Sequence, residues 1–462
     1  MTNKVLKEGF ILLLALLFLN GCGGKSRTHL KHYESILTNI NTGKYIEAAN
    51  DIKKARADGY YAEKDRVLYY LELGTAYHYA GMYDSSNVAL ELADDYMDDL
   101  FTKSIFNAAT SLLLNDNALD YFGEDYEQLY VNVFKALNYI HLNDFDGAFV
   151  EVKRAHIKLG AMEHKYEDYA DEMNSSKDQK SKVEIKKPIL YDDVLARYLS
   201  MSLYRAEGNV DDAEIDLRKI NELLKNLPSI YNFRQAPFFK SPIMEPVPLQ
   251  VLAFTGPAPQ KYAVELRITT YKNLLQIRSS KGTKDKYWMN LFMPIEQGWH
   301  FKFQLPEIAT PGTKVANINV YANDELLGQM NKIENMQNVA LKTFETHQSI
   351  IKFKTITRAV IKGLAAAEAK KEIRKSSNKG WVNLLTDVAV NVAVDATENA
   401  DLRAWRTMPG YAWSSEFKLL PGTYSIRVEY QDADGMFITK RVYPEVKVGN
   451  DKLNFVESFV HF

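Results

Sequence analysis

Tyr70 to Ala93 reads YLELGTAYHYAGMYDSSNVALELA, and this stretch decides the architecture of the amino-terminal half. Tyr70, Leu73, Gly74 and Tyr77, then Tyr83, Ser86, Leu90 and Ala93, recur at helical spacing on either side of Gly81. The pattern describes two helices folded back on one another. Gly74 and Ser86 are small enough to let the two backbones approach, while the larger residues fill the space beside them.

The same order of residues returns elsewhere. Ala136, Tyr139, Phe145, Ala148, Val152 and Ala155 form a second match, and Met201, Tyr204, Gly208, Val210, Ala213, Leu217 and Ile220 a third. Ile36, Ile40, Gly43, Tyr45, Ala48, Ile52 and Ala55 form a fourth, in which Asn39 stands where the first unit has Tyr77. These spacings resemble the tetratricopeptide (TPR) pattern. Ala48, Ser86, Ala148 and Ala213 are unevenly spaced, so further chain at Lys103–Leu114 and Glu163–Lys180 lies between units. Residues 28–228 are therefore expected to form a TPR-like α-solenoid, whose stacked pairs create a concave surface suited to a peptide or protein segment.

Pro237, Pro242, Pro246 and Pro248 punctuate a linker at 229–248, after which the period changes to two. Gln250–Phe254, Tyr262–Thr269, Trp288–Met293, Phe301–Gln304 and Val315–Tyr321 read as strands, and so do Ala412–Leu419, Thr423–Tyr430, Met436–Val442 and Leu453–Val460. Between the two groups the pattern is helical over about 333–399, broken at Ser376–Gly380. The expected fold class is α+β multidomain, with a β-sandwich-like domain over 249–462 carrying an inserted helical hairpin. In that hairpin Trp381, Leu385, Val388, Val392 and Ala396 share an apolar face opposite Asn383, Asp387, Asn391 and Asp395. An acidic polar face suits packing on protein better than lying on a membrane, where Lys and Arg are usual. The preceding segment, from Lys352 and Arg358 to Lys375 and Lys379, is strongly basic.

The first residues carry an address. Lys4 and Lys7 precede an unbroken apolar run, Phe10–Leu19, which is too short for a transmembrane helix and suits a signal peptide at 1–21. Leu19-Asn20-Gly21-Cys22 follows directly and resembles a bacterial lipobox, implying lipidation of Cys22, a flexible tether at 22–27 and a membrane anchor. Gly23 stands where an Asp often marks inner-membrane retention, so the expected location is the outer membrane, facing the periplasm. Cys22 is the only cysteine, which excludes an internal disulfide or a multi-cysteine metal site. The chain has 462 residues, 46% hydrophobic and 25% charged, an ordinary globular composition. With 57 Lys and Arg against 59 Asp and Glu, no chain-wide field favours nucleic acid as a partner.

Tyr121-Phe122-Gly123-Glu124-Asp125-Tyr126-Glu127 and Ala148–Ala155, together with Thr357–Lys362, Ala400–Trp405, Met408-Pro409 and Leu420–Tyr424, are similar to an uncharacterised family of bacterial outer-membrane lipoproteins with TPR-like amino-terminal halves. The resemblance implies an envelope role and supplies no activity.

The residues nearest to known chemical motifs fall on turns and solvated segments. His29, His32 and Glu34 lack a fourth ligand, and Gly23-Gly24-Lys25-Ser26 lacks the first glycine of a P-loop. Asp144-Phe145-Asp146-Gly147 and Asp432-Ala433-Asp434-Gly435 echo calcium loops, but Leu142 and Tyr430 occupy the first ligand position. Asp94, Asp95, Asp98 and Asp99 read as an acidic solvated face. No catalytic residue, metal site or cofactor is assigned. The expected function is a lipid-anchored envelope scaffold that captures a protein partner through the solenoid. The alternative is a glycan-acting enzyme or a glycan-binding accessory lipoprotein. Replacing Cys22 with Ala is expected to abolish fatty-acid labelling and leave precursor or soluble protein, read by metabolic labelling and membrane fractionation.

Overall fold

The computed structural model describes residues 30–106, 116–174, 191–233, 247–279, 289–292, 297–346, 348, 351–352, 355–356, 358–360, 399–450 and 453–461. Cys22, the proline-rich stretch 234–246 and the amphipathic segment 381–398 lie outside the described residues. The architecture is α+β, with a helical amino-terminal half followed by β-sheets.

The helices come in consecutive pairs: α1 (Leu30–Asn41) with α2 (Tyr45–Ala57), α3 (Arg66–Tyr79) with α4 (Tyr83–Phe106), α5 (Asp125–His141) with α6 (Phe145–Asn174), and α7 (Val194–Ala206) with α8 (Val210–Asn226). All four pairs turn the same way. Gly43, Gly81, Asn143 and Gly208 hold φ of 75°, 72°, 58° and 74°, the left-handed conformation that ends a helix. The next amide in each case donates back five residues: Lys44 to Asn39, Met82 to Tyr77, Asp144 to Tyr139, Asn209 to Tyr204. Asp144 then caps α6 by accepting from the Gly147 amide (2.9 Å), and Asp193 caps α7 through Ala196 (2.8 Å). Glu163 to Asn174 belong to the last turns of α6.

The strands are β1 (Leu249–Pro257), β2 (Gln260–Tyr271), β3 (Leu274–Ser279), β4 (Met289–Phe292), β5 (His300–Ala309), β6 (Asn317–Ala322), β7 (Glu325–Gln329), β8 (Asn331–Asn335), β9 (Pro409–Phe417), β10 (Gly422–Gln431), β11 (Phe437–Val448) and β12 (Asn454–Val460). Among the described residues they form three four-stranded sheets, ordered β12-β1-β9-β8, β11-β10-β6-β7 and β4-β3-β2-β5. The helix expected from 333 begins at 336, because β8 runs on through Asn335, and β3, β7 and β8 are strands that the periodicity alone did not separate. β1 pairs in parallel with the final strand β12, Leu249 opposite Asn454 through Thr255 opposite Val460.

Every residue from Leu249 to Gly256 is buried. Leu249, Val251 and Ala253 join a core shared with β6 and β10 of the second sheet, whereas Leu252 and Phe254 join the core of the helices. Helices, first sheet and second sheet therefore form three successive layers. The third sheet has its own smaller core, in which Leu266, Ile268, Leu275, Ile277, Phe303 and Leu305 meet Ala359 and Val360. Arg358, at the start of the strongly basic segment, is buried and lies 3.7 Å from Asp116.

No helix among the described residues is long and apolar enough to cross a membrane. A Cβ added at Gly74 would fall 2.6 Å from both Cγ and Cδ2 of Leu90, across the α3–α4 contact. Gly74→Leu is expected to destabilise the protein by about 1–3 kcal/mol or more, measured as a lower urea midpoint.

Candidate functional site

The first helices of the pairs turn their inner face to the first sheet, and the strands cover it. α5 is buried continuously from Asp125 to Asn138, an extent that an amphipathic surface helix does not reach. Phe134 lies 5.8 Å from Phe254 and 5.6 Å from Trp405, centroid to centroid, and Tyr79 stacks on Phe459 at 3.7 Å. The inner face of these helices is occupied by the chain's own carboxy-terminal half.

Charged and polar groups of one half meet partners of the other across this seam. Trp405 donates its Nε1–H to Thr75 Oγ1 (2.7 Å) and its backbone N–H to Glu127 Oε1 (2.7 Å). Glu127 also accepts from Tyr121 (2.6 Å) and the Glu124 amide (3.0 Å); burial, reinforced by the Glu124 charge, pushes its carboxyl up to about 7. Arg403 reaches Asp65 (2.9 Å), Asp401 (2.7 Å) and the carbonyls of Asp116 (2.8 Å) and Leu119 (3.0 Å). Burial alone would raise the Asp401 carboxyl, but the Arg403 guanidinium overrides it and holds Asp401 at about 2. Lys261 pairs with Glu124, and Arg205 with Glu416 at 2.6 Å. Asp193 and Glu334 are buried together: Tyr130 donates to Asp193 (3.0 Å) and the Leu195 amide to Glu334 (3.3 Å). Burial raises both carboxyls, Asp193 to about 6; the Asp193 charge raises Glu334 further, and the Asp192 charge adds to the rise of Asp193.

At the end of the seam Glu457, on β12, accepts from two imidazoles. His78 Nε2 lies 2.7 Å from Oε1 and His141 Nε2 2.7 Å from Oε2. His78 Nδ1 meets Asn138 Oδ1 at 2.7 Å, and Tyr83 stacks on His141 at 4.3 Å. Burial would raise Glu457, but the two imidazoles hold it at about 2. The histidines looked scattered in sequence; 316 residues separate His141 from Glu457, and only the packing of the last strand on α3 and α5 joins them.

A further network ties the helix pairs together. Lys135 is buried between Asp94 (3.3 Å), Glu151 (3.0 Å) and Glu91, and Lys158 also reaches Asp94. Asp94 is thus an internal counter-ion, whereas Asp95, Asp98 and Asp99 are exposed as the acidic face required. His32 stacks on Tyr60 at 5.0 Å. Asp432 accepts from the amides of Asp434 (3.0 Å) and Met436 (2.8 Å), which uses the carboxylate to close the β10–β11 turn. Among the described residues no group of three or more His, Cys, Asp or Glu is placed to hold a metal ion.

The second helices face outward. Val88, Val150 and Ile215 each stand two residues after Ser86, Ala148 and Ala213, the equivalent small residues, and are 65%, 49% and 41% exposed. Three repeats thus present a β-branched side chain at one register position, a signal that aligning the units in the sequence would have displayed. The sequence matches no protein-family model and no curated protein. Arg403→Met is expected to cost about 3–5 kcal/mol, because Asp401 and Asp65 lose their buried counter-ion. Thermal unfolding reads this, and Asp401→Asn combined with Arg403→Met is expected to recover part of the loss.

Proposed function

We propose that the chain is a lipid-anchored scaffold of the bacterial cell envelope, held at the outer membrane through Cys22 and facing the periplasm, which captures a protein partner through its TPR-like solenoid. The lipobox residues Leu19–Cys22 carry the anchor. On this reading the β half is a sandwich-like domain that plugs the inner face of the solenoid, so the partner meets the outer face. The observation that supports this choice is the repeated exposure of Val88, Val150 and Ile215 on α4, α6 and α8, opposite an inner face that β1 and β12 already cover. A partner that lies along successive pairs would meet the same aliphatic contact at each of them.

The test is cross-linking in intact cells, with the full chain compared with a Val88→Lys, Val150→Lys, Ile215→Lys variant. The expected result is loss of the cross-linked protein with unchanged thermal unfolding, because surface substitutions away from special features change stability by only about 0.5 kcal/mol. Retention on peptidoglycan or polysaccharide, with no protein adduct, would overturn the scaffold reading in favour of a glycan-directed one.

A further inference from the structure

β12 is an edge strand of the first sheet and carries Glu457 toward the helices. The hydrogen bonds around His78 fix its protonation. Asn138 donates through Nδ2 to Ser86 Oγ (2.9 Å) and Asn87 Oδ1 (2.9 Å), and Ser86 in turn donates to the Gly74 carbonyl (2.7 Å). This network orients the amide, so Asn138 Oδ1 is left to face His78 Nδ1 and acts only as an acceptor. On the other side of the ring, Glu457 is also an acceptor. A neutral imidazole carries one N–H and satisfies one of these partners; an imidazolium satisfies both. His141 Nε2 meets the other oxygen of Glu457.

We infer that His78 is a buried imidazolium whose second proton latches β12 onto α3 and α5, and that raising the pH removes this proton and frees the strand. The groups facing the latch are Glu457 on β12, Tyr79 on α3, Tyr83 on α4, His141 on α5 and Tyr443 on β11, with Tyr45 on α2 and Arg441 on β11 behind them. Burial raises all four of these tyrosines, so they stay neutral while His78 titrates. Arg441 also donates to the Phe459 carbonyl (3.3 Å), a second tether of β12.

The sign follows from proton binding. Burial opposes the charge on His78, but Glu457 and then Asn138 outweigh it and raise its value above 6.5. The closed strand therefore binds a proton more tightly than the open one. The latch is complete between the ordinary carboxylate range and 6.5, and is lost as pH rises through the raised His78 value. It is lost on the acid side only as Glu457 is protonated, near 2.

The test is amide hydrogen exchange of the full chain, followed at residues 454–460 from about pH 6 to about pH 9 and corrected for intrinsic exchange rates. A local readout is needed because Glu127, Asp193 and Glu334 also titrate within the seam and would enter any global unfolding curve. The opening constant of β12 is expected to rise by up to about tenfold per pH unit above 6.5, then level off once His78 is neutral in the closed strand. His141→Asn, which leaves both hydrogen-bond partners of His78 in place, is expected to keep this slope, and His78→Gln to flatten it. Wild-type protection that does not change with pH would overturn the inference without any variant. So would an unaltered slope in a folded His78→Gln protein.

Discussion

β1 has no face left for water. One side carries Leu249, Val251 and Ala253 into the core between two sheets, and the other carries Leu252 and Phe254 into the helices. A strand of this kind is stable only while both neighbours are in place, and burying a side chain such as Phe254 contributes about 1.5–3 kcal/mol. The helical half depends on the same contact from the other direction, since α5 has apolar residues on every side and cannot be left facing solvent. Each half is thus the missing layer of the other.

This dependence explains why the charged groups at the seam meet counter-ions from the other half. A charge taken out of water is tolerated only with its partner in place, and here the partners come from distant parts of the chain: Arg403 with Asp65, Lys261 with Glu124, Arg205 with Glu416 and His78 with Glu457. None of these pairs forms while the halves are apart. Such pairs select one docking geometry among the many that apolar surfaces alone would accept, because a shifted sheet would leave several charges buried and unpaired. The carboxyls of Glu127 and Asp193, raised to about 7 and about 6, show the cost of burial where hydrogen bonds stand in for a cation.

The same layering bears on how a scaffold would work. Repeated helical hairpins offer an inner and an outer face, and in this chain the inner one is spent on internal packing. Binding specificity would then rest on the outward side chains of the second helices, and the inner seam would serve to hold those helices at fixed spacing.

The sequence by itself determined the elements. Gly43, Gly81 and Gly208 mark three of the four helix turns, since only a residue that accepts positive φ ends a helix in that way, and Asn143 fills the fourth because asparagine tolerates the same conformation. Gly74 and Ser86 announced a close helix contact, and alternating residues after 248 announced strands. These are local facts, fixed by steric limits on a few neighbouring residues. Tertiary structure decided what those elements face. The helical spacing from Leu90 to Met97 puts Asp94 and not Asp95 on the buried stripe, but only the fold supplies Lys135 and Lys158 as the partners that let a carboxylate stay there. His78, His141 and Glu457 carry no common spacing, because their meeting depends on the last strand lying parallel to β1 and against α3 and α5. Period-two hydrophobicity reports that one face of a strand is buried, but the burial of β1 on both faces follows from a layer of helices supplied by the far end of the chain.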